Sequence, residues 1–359
     1  MSDEKALLAA IWDEPHDDTV RLVYADWLQE NGRPERAEFV RVQCELARLG
    51  TWGDGVEALT AREGELWKKW ARRWRKHLPS DQRGCAFHRG FPKFNLSRYG
   101  VAELVRLTAA DLEHAPLSYY HYNIAGREIN TVLAWPGLRF QELFSPRPPR
   151  LPKGWVERVV ACADLRNVSE LCAIDCKLTP EEIRLLLDAW AERHLPILRL
   201  AGEIGDEGLA ALAAHPTAAK VRLLDLRGAK LGAPGMRALS ASPFLQQVSK
   251  LDLSYSPIGD AGIEELIRWP HLSTVRALYL PNTKLTAAGA VALAACPALA
   301  NLRELTLSDN RIGTDGCLAL ARSPHLGALT RLSLDHGSKA GDPAAQKELR
   351  DRFGNAVNW

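Results

Sequence analysis

The sequence predicts an α/β fold: strand–helix units of about 27 residues, stacked into a solenoid with a parallel concave sheet and preceded by a small all-α domain. Three observations carry this. The glycines Gly208, Gly235, Gly262, Gly289 and Gly316 stand 27 residues apart, as do the prolines Pro216, Pro243, Pro270, Pro297 and Pro324. The pairs Leu224/Leu226, Leu251/Leu253, Leu278/Leu280, Leu305/Leu307 and Leu332/Leu334 keep the same step. The first stretch of about 80 residues holds no such period and instead spaces its apolar residues for helices.

Four helices are expected there. Ala6, Leu7, Leu8, Ile11 and Trp12 make the first. Asp17-Asp18-Thr19 supplies the N-cap of a second, which carries Val20, Leu22, Val23, Ala25, Trp27 and Leu28. Asn31-Gly32-Arg33-Pro34 stops it, and a third runs through Ala37, Phe39, Val40, Val42, Leu46 and Leu49. The fourth, beyond Thr51-Trp52-Gly53-Asp54-Gly55, contains Leu66, Trp67, Trp70 and Trp74. Charge is uneven: residues 1–50 hold 11 acidic and 6 basic side chains, and residues 51–100 hold 5 and 11. The bases concentrate at Lys68, Lys69, Arg72, Arg73, Arg75 and Lys76, between tryptophans at i, i+3 and i+7. The expectation is that Trp67, Trp70 and Trp74 pack inward and seal the first repeat, with the bases facing acidic neighbours or water. A nucleic-acid- or membrane-binding helix is the alternative.

Each repeat reads as a short strand, a turn, an apolar anchor (Leu231, Ile258, Leu285, Ile312), a helix and a closing proline. The period continues backwards through Leu198-Arg199-Leu200, whose turn is one residue short, and through Leu171-Cys172-Ala173 with Trp190 in the proline column. Earlier units align at Leu143-Phe144-Ser145, Ser118 to Tyr122 and Phe94-Asn95-Leu96, interrupted by the proline-rich run 145–152. The predicted domains are residues 1–84, helical; 85–340, the solenoid, irregular to about 170 and regular from about 195; and 341–359, a C-terminal cap.

The string Leu302-Arg303-Glu304-Leu305-Thr306-Leu307-Ser308-Asp309-Asn310-Arg311-Ile312-Gly313 resembles a leucine-rich repeat of the strand–helix kind found in ribonuclease inhibitor and Ran GTPase-activating protein. That family carries an asparagine ladder at the turn. Here the column reads Ala229, Ser256, Thr283, Asn310, so the resemblance implies a weakened ladder. Leu22 to Gly32, followed by Arg36 to Gln43, resembles the N-terminal repeat-companion domain of certain bacterial proteins, which implies leucine-rich repeats downstream but no assigned activity.

Composition excludes several classes. Hydrophobic residues make up 46% and charged residues 25%, ordinary for a folded chain. The net charge of +2 does not by itself imply a nucleic-acid or membrane partner. No apolar run is long enough to span a bilayer, the N-terminus is too polar for a secretory signal, and seven cysteines without a framework suit reduced thiols in a cytoplasm. Chemistry-bearing motifs are missing: there is no phosphate loop, no zinc-protease helix and no serine-hydrolase elbow. Ser308-Asp309-Asn310 is repeat turn. Cys162, Cys172 and Cys176 lack paired metal-binding arms, and His77, His88, His114 and His121 are scattered. Asp206, Asp260 and Asp315, beside the repeat glycines, read as helix caps. No enzyme, metal or cofactor is expected.

What remains is surface. Between and just after the strand leucines stand Arg199, Asp225, Arg227, Asp252, Tyr255, Tyr279, Asn282 and Asp309, with Thr306, Ser333, Asp335 and His336. The first eight are the candidate partner-binding residues on the concave face. Tyr255 and Tyr279 are the expected anchors, and Asp225, Asp252 and Asp309 would select a locally basic protein. No nucleic acid or membrane is expected as partner. The alternative is regulation of a small GTPase or another enzyme, which rests on fold analogy.

Overall fold

Two leucines separated by one polar residue can both be buried, with the polar residue outside, in a strand, where alternate side chains take opposite faces. The computed structural model places a strand at each such pair. It describes residues 3–50, 53–76, 78, 85–95, 101–106, 118–119, 124–125, 128–135, 138, 143–147, 151–192, 195–334 and 342–358. Two units emerge: Met1–Ile124 with Glu128–Phe144 and Cys162–Val168, and Ala125–Arg127 with Ser145–Ala161 and Ser169–Trp359.

The first unit opens with four helices, α1 Asp3–Asp13, α2 Asp18–Glu30, α3 Pro34–Leu49 and α4 Val56–Trp74. Asp17 caps α2, its Oδ1 accepting from the Thr19 amide at 2.8 Å, and Pro34 opens α3 at a position needing no amide donor. A hairpin follows, β1 Ala86–His88 and β2 Phe91–Asn95, and β2 pairs in parallel with β3 Ser118–Tyr119. Its turn, Arg89-Gly90, has both residues at positive φ (49° and 84°). That turn is docked on α3. The Gly90 amide donates to Gln43 Oε1 at 2.7 Å, Arg36 donates to the Gly90 carbonyl, and a Cβ on Gly90 would lie 2.6 Å from Val40 Cγ2. The unit is therefore helical with a β-hairpin built in.

The core of this unit joins Ile11, Tyr24, Ala25, Leu28, Ala37, Val40, Cys44 and Phe91. The buried stripe of α2 is Arg21, Tyr24, Ala25 and Leu28, so Leu22 and Val23 stand outward at 41% and 50% exposure. Arg21 is tolerated inside because its guanidinium lies 5.7 Å from the Phe91 ring centre and donates to the Asp17 carbonyl.

Among the described residues the second unit contributes eight strands to one parallel sheet: β4 Glu170–Cys172, β5 Ile197–Arg199, β6 Leu223–Asp225, β7 Lys250–Asp252, β8 Ala277–Tyr279, β9 Glu304–Thr306, β10 Arg331–Ser333 and β11 Val357–Asn358. Each pairs with the next in sequence, in one register that aligns Leu171, Leu198, Leu224, Leu251, Leu278, Leu305 and Leu332. Those leucines are buried, as are Leu200, Leu226, Leu253, Leu280, Leu307 and Leu334 two residues on. Helices follow the strands: α5 Pro180–Ala189, α6 Gly205–Ala213, α7 Ala233–Ser240, α8 Gly259–Leu266, α9 Ala287–Ala294, α10 Gly313–Arg322 and α11 Pro343–Phe353. Successive helices pack side by side and close the core from one face.

The repeat glycines answer two steric demands in alternation. At Gly235 and Gly289 an added Cβ would lie 2.4 Å from Oδ1 of Asp206 and Asp260. At Gly208, Gly262 and Gly316 it would crowd Ile204, Ile258 and Ile312 at 3.0, 2.7 and 3.0 Å. The prolines behave differently from expectation. Pro216 and Pro297 open 3-10 turns that follow the helices, because the helices have already ended at Ala213 and Ala294. Of the earlier units, Phe94 pairs with Ser118 and Asn95 with Tyr119. Leu96, Tyr120 to Tyr122 and residues 148–150 of the proline-rich run lie outside the described residues, as do His77, His114, Asp335 and His336.

Candidate partner-binding surface

In each strand the central leucine faces the helices, so the residues before and after it share the opposite face. The after-position holds Cys172, Arg199, Asp225, Asp252, Tyr279, Thr306 and Ser333. The before-position holds Glu170, Ile197, Leu223, Lys250, Ala277, Glu304 and Arg331. Sequence reasoning took only the first column. The period of two that selects Asp252 selects Lys250 as well, and that signal was available.

The two columns join into a ladder of opposite charges. Arg199 Nε donates to Glu170 Oε1 at 2.6 Å, and its Nη1 reaches Asp225 Oδ2 at 3.4 Å. Arg227 holds the same carboxylate, with Nη2 to Oδ2 at 2.8 Å and Nε to Oδ1 at 3.0 Å, and its Nε lies 3.7 Å from Asp252 Oδ2. Asp225 is 1% exposed. Two guanidiniums already occupy its carboxylate. Asp252 Oδ1 accepts from the Ser254 amide and hydroxyl at 3.0 and 2.5 Å. Burial pushes its carboxyl above the ordinary range, against the pull of those bonds. For Arg227 the Asp225 bond dominates and raises the guanidinium further; at Arg199 burial is the largest single influence and lowers it, but the Glu170 bond and the nearby Glu170 and Asp225 charges together outweigh burial and raise it.

Further along, Lys250 Nζ sits 4.7 Å from the Tyr279 ring centre, and the Tyr279 hydroxyl donates to Glu304 Oε2 at 2.5 Å. Arg331 pairs with the same carboxylate. Burial, then the Glu304 bond, push the Tyr279 phenol up to about 12. Tyr279 is thus fixed by its neighbours. Within the ladder four acids (Glu170, Asp225, Asp252, Glu304) balance four bases (Arg199, Arg227, Lys250, Arg331).

The turn after each strand carries a second row. Asp175, Gly202, Gly228, Tyr255, Asn282 and Asp309 all have positive φ, from 50° to 111°. Five of these donate an amide across to the next unit: Asp175 to the Ala201 carbonyl, Gly202 to Arg227, Gly228 to Ser254, Tyr255 to Pro281 and Asn282 to Ser308, all at 2.6–3.0 Å. The row shows that Tyr255 is equivalent to Gly228, whereas Arg227 is equivalent to Ser254. The expected column therefore mixed two registers. Glycine, asparagine and aspartate are the residues that tolerate this conformation; tyrosine is not. Tyr255 has φ 61°, is 59% exposed and makes no side-chain hydrogen bond among the described residues.

Beneath the turns the ladder column grades as its chemistry allows. Asn310 Oδ1 accepts from the Thr283 and Leu285 amides at 3.0 Å each, and its Nδ2 donates to the Leu280 and Leu307 carbonyls at 2.7 and 2.9 Å. Ser256 accepts from the Ala229 amide and donates to the Leu226 carbonyl. Asp206 and Asp260 are caps, but for the following unit: Asp206 accepts from Gly232, and Asp260 from the Thr286 and Gly289 amides. Burial raises the Cys172 thiol and pushes Cys176 up to about 12. Among the described residues no group of His, Cys, Asp and Glu is placed to hold a metal, and no helix is long and apolar enough to cross a membrane.

On α4 the tryptophans divide. Trp67 and Trp74 lie against Phe39, at 5.8 and 4.7 Å between ring centres, and Trp67 meets Phe87 edge-on. Trp70 instead has Lys69 Nζ and Arg73 Cζ at 5.4 and 5.7 Å from its ring. All three are half-buried.

The sequence model described as Leucine Rich repeat matches residues 247–266 and 298–321. Together with the shared register of seven leucines, that decides the fold. The second unit is a leucine-rich-repeat solenoid. No curated protein matches the chain. Solved structures similar to it include a chain of the yeast Rad7–Elc1 complex, 13% identical with a TM-score of 0.40, covering 82% of each chain. An internalin from Listeria monocytogenes is also 13% identical, with a TM-score of 0.40, covering 70% of this chain and 77% of its own.

Proposed function

We propose that the chain is a non-enzymatic interaction protein whose solenoid binds a protein partner on the exposed sheet face, the concave face of such a repeat. The observation that supports this most is Tyr255. A bulky residue in the left-handed region costs of order 1–3 kcal/mol, and the equivalent positions use glycine, asparagine or aspartate. The ring is exposed and makes no side-chain hydrogen bond among the described residues, so its use lies outside the fold. Around it the balanced charge ladder holds a pre-ordered surface that needs little ordering on binding. Its partner is accordingly a protein patch with an apolar pocket for the ring and mixed charge at the rim, in place of the basic patch expected from sequence. Arg227, Asn282 and Asp309, all exposed, are the rim residues, while Arg199, Asp225, Asp252 and Tyr279 hold the face in shape. The proposal includes a bacterial source and a repeat-companion N-terminal domain, which the resemblance of Leu22 to Gln43 supports, and a cytoplasmic location, which the seven cysteines without a framework support.

The test is affinity purification with the full chain, followed by titration of the purified partner against variants. Tyr255→Ala should weaken binding at least about fivefold. Val291→Ala, on an exposed helix residue, should leave it unchanged. Binding insensitive to Tyr255 and sensitive to Val291 would place the contact on the helices instead.

A further inference from the structure

We infer a second, separate binding surface on α4, for single-stranded nucleic acid. Lys69, Arg72, Arg73 and Lys76 recur at i, i+3, i+4 and i+7, one helical stripe continued into the turn beyond Trp74. With Trp70 and Arg75 they line an open cleft of about 870 Å³. Lys68, Lys69, Arg72, Arg73 and Lys76 have no carboxylate partner among the described residues. Elsewhere on the same helix Arg62 is held by both Glu38 and Glu65, so bases on α4 are paired where pairing is the purpose. The helix C-terminus favours cations in its last turn, which accounts for Arg72 and Arg73 and leaves Lys68, Lys69 and Lys76 unexplained.

The occupant follows from the chemistry of the lining. A row of cations without acids calls for a polyanion, and an indole between two of them adds a flat surface for stacking. Bilayer insertion needs an apolar helix face, and here Leu66, Ala71, Trp67 and Trp74 are already turned to the unit's own core and to Phe39. A paired duplex hides its base faces within the stack, so Trp70 can stack only on an unpaired base. Phosphates would lie along the stripe and one base on Trp70.

The experiment is fluorescence anisotropy of a labelled oligothymidylate of about 15 nucleotides, titrated with the full chain at several salt concentrations. The expected result is binding whose logarithmic salt slope is about −3, as four phosphate contacts would give. Trp70→Ala should weaken it about tenfold while Trp70→Phe retains most of it. Should Trp70→Ala fold poorly, Lys69→Gln with Arg73→Gln carries the test, since neither base holds an acid in the fold; that pair should flatten the slope. No anisotropy change at low salt, equal binding by Trp70→Ala, or stronger association with phosphatidylserine vesicles or polyglutamate than with the oligonucleotide would each overturn the assignment.

Discussion

The sheet face of the solenoid and the outer stripe of α4 are both rich in charge, yet they handle it in opposite ways. On the sheet, Arg199 and Arg227 flank Asp225 and extend to Glu170 and Asp252, so each guanidinium has acids within reach. On α4, Lys69, Arg72, Arg73 and Lys76 have none among the described residues. The physical difference is spacing. Parallel strands stand about 4.8 Å apart, which lets a long guanidinium bridge neighbours and neutralise the surface. A single helix carrying bases at i, i+3, i+4 and i+7 brings like charges together, and the field they make is uncompensated. Counting residues cannot separate the two cases; pairing geometry does.

Stability should respond most to the layer beneath the ladder. Leu253→Ala removes a buried leucine from the continuous row and should cost about 2–5 kcal/mol by urea unfolding. An unchanged midpoint would mean the repeat register is wrong. Next comes Asp225→Ala, which leaves two partly exposed guanidiniums facing each other and should cost about 2 kcal/mol, reduced from the fully buried case by solvent screening. A neutral result would show that the ladder is incidental to the fold.

Asp252 should reveal itself through pH. Its folded carboxyl titrates above the ordinary value, so between the two values the folded state holds more proton than the unfolded chain. That contribution is full below the ordinary value and lost as pH rises through the raised one. Asp252→Asn should accordingly lose less stability than the wild type as pH rises across this acidic window, measured by urea midpoints at successive pH. The smallest effect is expected on α4: Lys69→Gln with Arg73→Gln should alter stability by no more than about 1 kcal/mol, because it removes no ion pair and only exposed contacts with the Trp70 ring. A loss comparable with Asp225→Ala would erase the contrast between the two surfaces.

Much of this was legible in the residues. The step from Gly208 to Gly316 located every regular unit, because close packing leaves no room for a Cβ there, and the leucine pairs located the strands. The short turn before Ile204 reappears as the register of 26 between Leu198 and Leu224. Other features depended on three dimensions. Arg21 is inside and Leu22 outside because Phe91, about seventy residues away, supplies the face that a guanidinium needs. Trp70 parts from Trp67 and Trp74 because Phe39 can be covered by only two of the three rings. Tyr255 could be placed near the face by pattern, but its conformation is a backbone property that residue identity argues against.

That conformation offers the most direct test of the central claim, that Tyr255 is retained for contact with a partner and not for the fold. The measurement is urea unfolding of Tyr255→Asn against the wild type. Asparagine tolerates the left-handed region, as Asn282 does one unit on. The variant should be more stable by about 0.5–1 kcal/mol, because the backbone strain is relieved and the exposed ring supports nothing inside the fold. A variant less stable than the wild type would contradict this, for it would mean that the tyrosine ring supports the fold itself.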